Sequence, residues 1–516
     1  MESKTMNIVE ALEINAEKQP LHEALLYENR QYNYLQFNES VNRLANGLLE
    51  HGVKKGDHAA MLMKNSDYFA ITYFALAKIG AVIVPINFRL LANELSYIID
   101  NSDSKHVIIE AEFEKEILKA VDQNKAVKNL ISVPETTNKA FKSYQDILST
   151  NTQNPGTKIL GTDHCHMLYT SGTTGNPKGA LFDHKAVRSV VIQYIASLGY
   201  HPKERWLHFA PFFHAAQLAV CLLPQFYVGG FGVIYREFNP KLILKDISKY
   251  NITAVLGVPT MYKAFLQVSK EDDFDFTSIE KMIYGAAPMS GSDVSRAIDF
   301  FGTNKFYSLC GQTETGPAAL MLYPEDHKEH AGIGKSGKGT TMFTLFDIVN
   351  PEGKSVEVGE VGEIIMKVPS QLKEYYKNPE ATANTIIDGY VYSGDLAVRD
   401  GDGYIQLVDR NKDMIISGGE NVYSIEVENT LSAHPEVLEA AVIGTPDAKW
   451  GEVVTAIVAT DADSLLTEEA LIAFVKENLA SYKAPKKVIF VDSLPRNTSG
   501  KLLKYQLRKT YDPSIA

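Results

Sequence analysis

Tyr169 to Gly179 reads YTSGTTGNPKG, a stretch dense in hydroxyls and glycines that carries one lysine near its end. Gly172, Gly175 and Gly179 let backbone N–H groups turn toward an anion. Ser171, Thr173 and Thr174 add hydroxyl donors, Lys178 adds a mobile positive charge, and Pro177 keeps the segment out of a helix. A loop of this kind suits a polyphosphate. It is not a Walker loop, which needs glycine directly before its lysine and a hydroxyl directly after it; Pro177 and Gly179 hold those places. From composition alone the plainer reading is a flexible surface turn.

Outward from this loop the chain alternates helical and strand patterns. Val41, Leu44, Ala45, Leu48 and Leu49 have helical spacing, as do Val187, Val190, Val191, Tyr194, Ile195 and Leu198, the second set with Asp183 as its cap. Between such helices lie the β-rich runs VIVPI, HVIIE, FGVIY, TAVLGV and KMIYG. The alternation predicts an α/β fold with mainly parallel sheets covered by helices on both faces. Ligand loops then gather at the carboxyl ends of strands, where YTSGTTG, GAAP and GQTE fall. GIGKSG, at Gly332 to Gly337, is formally G-x-G-x-x-G but leads into the strand-like MFTLFDIV, the reverse of the dinucleotide order, and reads as a loop. Near residue 409 the pattern shifts: DRNKD separates two β-rich runs, and LEAAVIGT, VVTAIVAT, EEALIAFVKENLA and KKVIFV follow. We therefore expect a large domain over 1–408, a hinge at 409–412 and a small α+β domain over 413–516.

Composition agrees with this division. The chain has 516 residues, 45% apolar and 22% charged, which suits a globular protein of two or more domains. The net charge of −12 argues against a nucleic-acid binder. Cys165, Cys221 and Cys310 are odd in number and widely spaced, which fits a reducing cytoplasm and no zinc site. Phe69 to Ile86 approaches the length of a membrane span, but Lys78 and Gly80 interrupt it and Pro85 closes it. It reads as a buried helix, DYFAITYFALAKIG, running into a strand, AVIVPIN. No transmembrane segment is expected, and peripheral membrane contact stays open.

The opening loop resembles the phosphate loop of the adenylate-forming superfamily: acyl-CoA ligases, firefly-type luciferases and the adenylation domains of peptide synthetases. Further matches follow in family order. They are GAAP (Gly285 to Pro288), GQTE (Gly311 to Glu314), YSGD (Tyr392 to Asp395), VDRNKDMIISGGENVY (Val408 to Tyr423) and PRNTSGK (Pro495 to Lys501). The resemblance covers nearly the whole chain and looks closest to bacterial fatty acyl-CoA ligases, particularly in ISGGENVY, KWGE and KAPKKVIFV.

The resemblance implies an enzyme that uses ATP, Mg2+ and coenzyme A to activate a small-molecule carboxylic acid, acting as a monomer or homodimer with a mobile small domain. It implies that Thr170, Ser171, Gly172, Thr173, Thr174, Gly175 and Lys178 surround the leaving phosphates. Glu314 would hold the magnesium with Thr170, and Thr313 would contact the α-phosphate. Gly285, Ala286 and Ala287 would lie flat against adenine, with Gly311 and Gln312 alongside; Asp395 would accept both ribose hydroxyls and Arg410 would add a ribose or phosphate contact. Lys501 would reach in from the small domain to the acid's carboxylate and a phosphate oxygen. Lys412 would be the hinge, and Gly418 and Gly419 would let a pantetheine arm pass. Taken alone, Lys501 is a solvated lysine, Asp395 a turn residue and Arg410 half of a surface ion pair. One position departs from the family pattern: Cys310 stands where an aromatic residue usually stacks on adenine, with Tyr307 nearby.

Pro211 to Gly230, PFFHAAQLAVCLLPQFYVGG, matches the acyl-pocket wall of relatives, with His214 as the gate-like residue beside the reacting carboxylate and Gln217 as its other polar group. A second carboxylate on the substrate would need an arginine or lysine here, so an apolar monocarboxylic acid is expected, a medium- or long-chain fatty acid first. An aryl or short-chain acid is the alternative, and a stand-alone carrier-loading enzyme, a luciferase-like oxygenase and a nucleotide sensor are more distant ones.

Overall fold

The computed structural model describes residues 7–170, 177–269, 274–287, 289, 291–330, 336–447, 449–461, 463–496 and 502–511. Among these, four sheets form. The first has eight strands, built on parallel pairing of Val82–Pro85, His58–Leu62, Ser104–Glu110 and Asn129–Val133, with the antiparallel hairpin His164–Thr170 and Lys178–Asp183 at one side. The second has nine strands; its parallel centre runs Phe231–Ile234, Arg205–His208, Ala254–Gly257, Lys281–Gly285 and Phe306–Gly311. Each β-rich run marked in the sequence is one of these strands, and each is apolar and buried, as a strand covered on both faces must be.

Helix Asp67–Ile79 shows how the sequence makes the packing. Ser66 caps its start by accepting from the Phe69 N–H, and Gly80, at φ +72°, ends it in the left-handed conformation. Nearly all its residues are buried, so it is apolar all round because it is enclosed by protein. Lys78, the charge that interrupts the run, is also buried and is satisfied by Asn38 (2.9 Å), Asn42 (2.7 Å) and Glu13 (3.1 Å). Among the described residues no helix is long and apolar enough to cross a membrane. Helix His184–Leu198 is capped by Asp183, whose carboxylate accepts from the Ala186 N–H at 2.7 Å.

The expectation of mainly parallel sheets needs one refinement. Leu345–Val349, Gly362–Lys367, Tyr390–Arg399 and Ile405–Arg410 form an antiparallel sheet within the large N-terminal part. The chain leaves that sheet at Arg410 and enters the fourth, small-domain sheet at Ile415. There Val437–Asp447 and Gly451–Thr460 form a long antiparallel pair, with Lys487–Val491 added in parallel. Helices Ser424–Ser432 and Glu468–Asn478 pack beside this sheet around a core that includes Val427, Leu431, Val442, Leu471 and Val475. None of the three cysteines is in a disulfide; Cys165 and Cys221 are buried.

Candidate active site

A cavity of about 2050 Å³ lies where these sheets meet. Thr170 and Lys178 of the first sheet line it, as do Gly285 and Gly311 at the carboxyl ends of second-sheet strands, Gly394 and Arg410 of the third sheet, and Arg496, Leu503, Tyr505 and Gln506 of the small domain.

At one end of the cavity, Thr170 and Lys178 face each other across the hairpin and are the described stems of the glycine-rich loop. Ser171, Gly172, Thr173, Thr174 and Gly175 lie outside the described residues. Thr313 and Glu314 sit on the single turn Thr313–Thr315 that follows strand Phe306–Gly311. The turn is fixed from below: Thr315 Oγ1 donates to the Ala318 carbonyl at 2.7 Å, and Leu372 N–H donates to the Glu314 carbonyl at 2.9 Å. Gly316 has φ +84°, and a Cβ there would meet the Ser370 carbonyl at 2.3 Å, so only glycine closes the turn. Tyr375 was not foreseen. Its hydroxyl donates to Glu314 Oε1 at 2.5 Å, and the Lys178 ammonium lies 4.3 Å from its ring centroid. Burial first, and the Glu314 carboxylate second, push the phenol pKa well above the ordinary range, so it stays a donor.

Toward the nucleoside end, Gly285 and Ala286 line the cavity, whereas Ala287 is not among the lining residues. Ala286 has φ +65°, a left-handed conformation that costs a residue with a Cβ about 1–2 kcal/mol. Gly285 is glycine for a reason inside the sheet: a Cβ would stand 2.2 Å from the Leu309 carbonyl of the next strand. Gln312 lines the cavity, and its buried Nε2 has no hydrogen-bond partner among the described residues, leaving a donor for a ligand. Cys310 packs with Ala318 and Leu320, and neither it nor Tyr307 lines the cavity. Asp395 forms an ion pair with Arg410, its register partner on the adjacent strand. Arg410 lines the cavity while Asp395 itself does not. Beside them Glu363 accepts from the Gly394 N–H at 2.8 Å; burial raises its pKa, and the Asp395 charge acts in the same direction.

The third end is apolar. Tyr194, Val220, Leu256, Met261 and Leu309 form its wall with Ala216 and Gln217. Ala216–Leu222 winds as a π-helix, a widened turn often met at functional sites, directly after His214. His214 lines the cavity, and its Nδ1 accepts from the Ala216 N–H at 3.3 Å. Gln225, a third polar group of this segment that the sequence reading passed over, starts a relay. Its Nε2 donates to the Ala24 carbonyl (2.7 Å), its Oε1 accepts from His208 Nε2 (2.6 Å), and His208 Nδ1 accepts from Gln217 Nε2 (2.7 Å). Burial lowers the His208 pKa to about 4, so the ring is neutral and the direction of the relay is fixed. Lys64 and Arg236, also on the cavity wall, are paired with Glu237 and Glu112, and with Glu110 and Glu112. Lys64 and Arg236 thus supply elsewhere on the wall the cations absent from Pro211–Gly230, each paired with carboxylates, while Arg89 on the same wall lies over the Phe88 ring.

At the hinge Lys412 lines the cavity, and from the small domain residues on both sides of Lys501 do so as well; Lys501 itself lies outside the described residues. Gly418 and Gly419 are not among the lining residues. They are the two central residues of the hairpin Ile415–Ser417/Glu420–Val422, with φ +63° and +88°, as a two-residue hairpin turn requires.

Two family models match the chain: "AMP-binding enzyme" over residues 12–376 and "AMP-binding enzyme C-terminal domain" over 426–501. The chain is 37% identical over 478 residues to a feruloyl-CoA synthase of an Amycolatopsis species, covering 93% of this chain and 94% of that protein. It is 35% identical over 488 residues to the long-chain-fatty-acid–CoA ligase FadD13 of Mycobacterium tuberculosis, with 93% of each covered. The ATP-bound crystal structure of MatB from Rhodopseudomonas palustris superposes with a TM-score of 0.89 at 29% identity, over 99% of this chain and 100% of that one.

Proposed function

Given that the chain belongs to the AMP-binding enzyme family and is an ATP-dependent acyl-CoA ligase, we propose that its acid is an apolar monocarboxylate, a medium- or long-chain fatty acid before any other. The observation that carries this reading is one cavity with a cationic and hydroxylic end at Thr170 and Lys178 and an apolar end at Val220, Leu256 and Met261.

In the first half-reaction a carboxylate oxygen attacks the α-phosphorus of ATP, the bond to the β-phosphate oxygen breaks, and pyrophosphate leaves. Two anions must approach, so positioning and charge neutralisation dominate. Lys178 and the loop residues Ser171, Gly172, Thr173, Thr174 and Gly175 grip the departing phosphates. Thr313 contacts the α-phosphate, and Lys501 neutralises the reacting carboxylate. Gly285, Ala286 and Ala287 flank adenine with Gly311, Gln312 donates to the nucleotide, and Asp395 with Arg410 holds the ribose. His214 gates the carboxylate. The Glu314 carboxylate and the Thr170 hydroxyl would hold Mg2+, which takes few protein ligands, and the ion would supply positive charge against the phosphates. In the second half-reaction the CoA sulfur attacks the acyl carbon and AMP leaves. For that step the small domain (413–516) turns about Lys412 and presents the Gly418–Gly419 turn. The cytoplasm is the compartment we assign.

An aryl acid is the second reading, favoured by the 37% identity to a feruloyl-CoA synthase. Pyrophosphate release across acetate, octanoate, palmitate, benzoate, coumarate and malonate, with and without CoA, tests both. Octanoate or palmitate should give the highest kcat/KM, and malonate should give essentially none. Preference for coumarate or benzoate would move the assignment to the aryl reading, and preference for malonate would overturn the apolar wall itself.

A further inference from the structure

Lys178 and Glu314 are opposite charges on the wall of one cavity, and nothing in simple electrostatics keeps two such groups from closing on each other when no ligand separates them. Each is instead held by a different part of Tyr375. The ring face carries the Lys178 ammonium at 4.3 Å, a cation–π contact, and the hydroxyl donates to Glu314 Oε1 at 2.5 Å. The tyrosine is itself firmly placed. It is 3% exposed, and strand Glu374–Tyr375 pairs with Lys178–Asp183 at Tyr375↔Ala180. Its N–H also donates to Thr382 Oγ1 at 2.9 Å. The same short strand therefore fixes the spacing between the phosphate-loop lysine and the carboxylate on the Thr313–Thr315 turn, two elements far apart in sequence.

We propose that Tyr375 is a positioning residue that keeps Lys178 and Glu314 apart and aimed: the ammonium at the leaving phosphates, and the carboxylate, with one oxygen anchored, offering the other to Mg2+. This rests on the reading of Glu314 as the magnesium ligand.

The two functions of the side chain can be separated. Tyr375→Phe keeps the ring under Lys178 and frees Glu314; Tyr375→Leu frees both, so that Lys178 and Glu314 pair with each other. Calorimetric binding of ATP is measured with Mg2+ and, separately, in excess chelator, alongside the Mg2+ half-saturation of pyrophosphate release. Losing a hydrogen bond to a charged group predicts that Tyr375→Phe weakens Mg·ATP binding about 10- to 100-fold. Metal-free ATP should bind this variant within about twofold of wild type, and the Mg2+ half-saturation should rise. Tyr375→Leu should weaken both forms of ATP. A Phe variant that loses the two forms equally, or neither, overturns the proposal, because a purely structural tyrosine would not discriminate by metal. Glu314→Gln is the control. If it leaves the metal dependence intact, the magnesium assignment fails and the proposal falls with it; if it alters that dependence while Tyr375→Phe does not, only the role of Tyr375 is refuted.

Discussion

His184 is fully buried, and neither of its ring nitrogens has a hydrogen-bond partner among the described residues. Burial lowers its pKa to about 4, against about 6.5 in an unfolded chain. The folded protein therefore holds this ring neutral while the unfolded chain protonates it. The associated stability is fully present above about pH 6.5 and is lost as pH falls toward about 4. His184→Leu removes that dependence. Relative to wild type, the variant should gain about 2 kcal/mol of stability between pH 7 and pH 5, read from denaturant unfolding at both values; a constant difference would show that the ring finds a partner. At this scale the sequence was partly legible. Lys178, marked out by the hydroxyls and glycines around it, and Glu314, marked out by the family resemblance of GQTE, both line the cavity. Tyr375 could not be picked out, since its value lies in a contact with Glu314 from a distant strand, and EYYKN carries no local mark of it.

Between elements, the approach of neighbouring strands explains what ligand chemistry alone would misassign. Gly285 was read as room for adenine, yet the Leu309 carbonyl already occupies the space a Cβ would take, at 2.2 Å. Gly285→Ala should force the strands Lys281–Gly285 and Phe306–Gly311 apart and cost about 1–3 kcal/mol in the ligand-free protein, measured as a lower midpoint of thermal or chemical unfolding. Unchanged stability with weakened ATP binding would return Gly285 to a purely nucleotide role. The adjacent glycines Gly418 and Gly419 carry the same lesson: the hairpin turn needs two positive φ angles whether or not a ligand passes. The parallel strands were visible as apolar β-branched runs because both their faces are buried. The antiparallel sheet over 345–410 showed only in part, in MFTLFDIV and in the β-rich run before DRNKD. Its strands are half-exposed and mixed in composition, and their partners are set by the way Gly362–Lys367 pairs with both Leu345–Val349 and Tyr390–Arg399.

Across the whole molecule, the small domain is seated with the residues around Lys501 on the cavity and the Gly418–Gly419 turn away from it. Asp409, on the last strand of the large part, ties the start of helix Ser424–Ser432, and further pairs brace the small domain internally. Asp409 accepts from Ser424 Oγ at 2.9 Å and from its backbone N–H, and Asp413 pairs with Arg508 at 2.8 Å. Lys504 bridges Ser424 and Glu428. Under the function proposed above, this arrangement is the one that serves adenylation, and thioester formation uses the other face of the same domain. Separate assays of the two half-reactions in Lys501→Ala test whether the two faces of the small domain divide the labour. Pyrophosphate release from acid and ATP should fall by at least about 100-fold, as expected for a lost charge-stabilising group, while acyl-CoA formation from supplied acyl-AMP and CoA should stay within a few-fold of wild type. Loss of both half-reactions together would contradict that division.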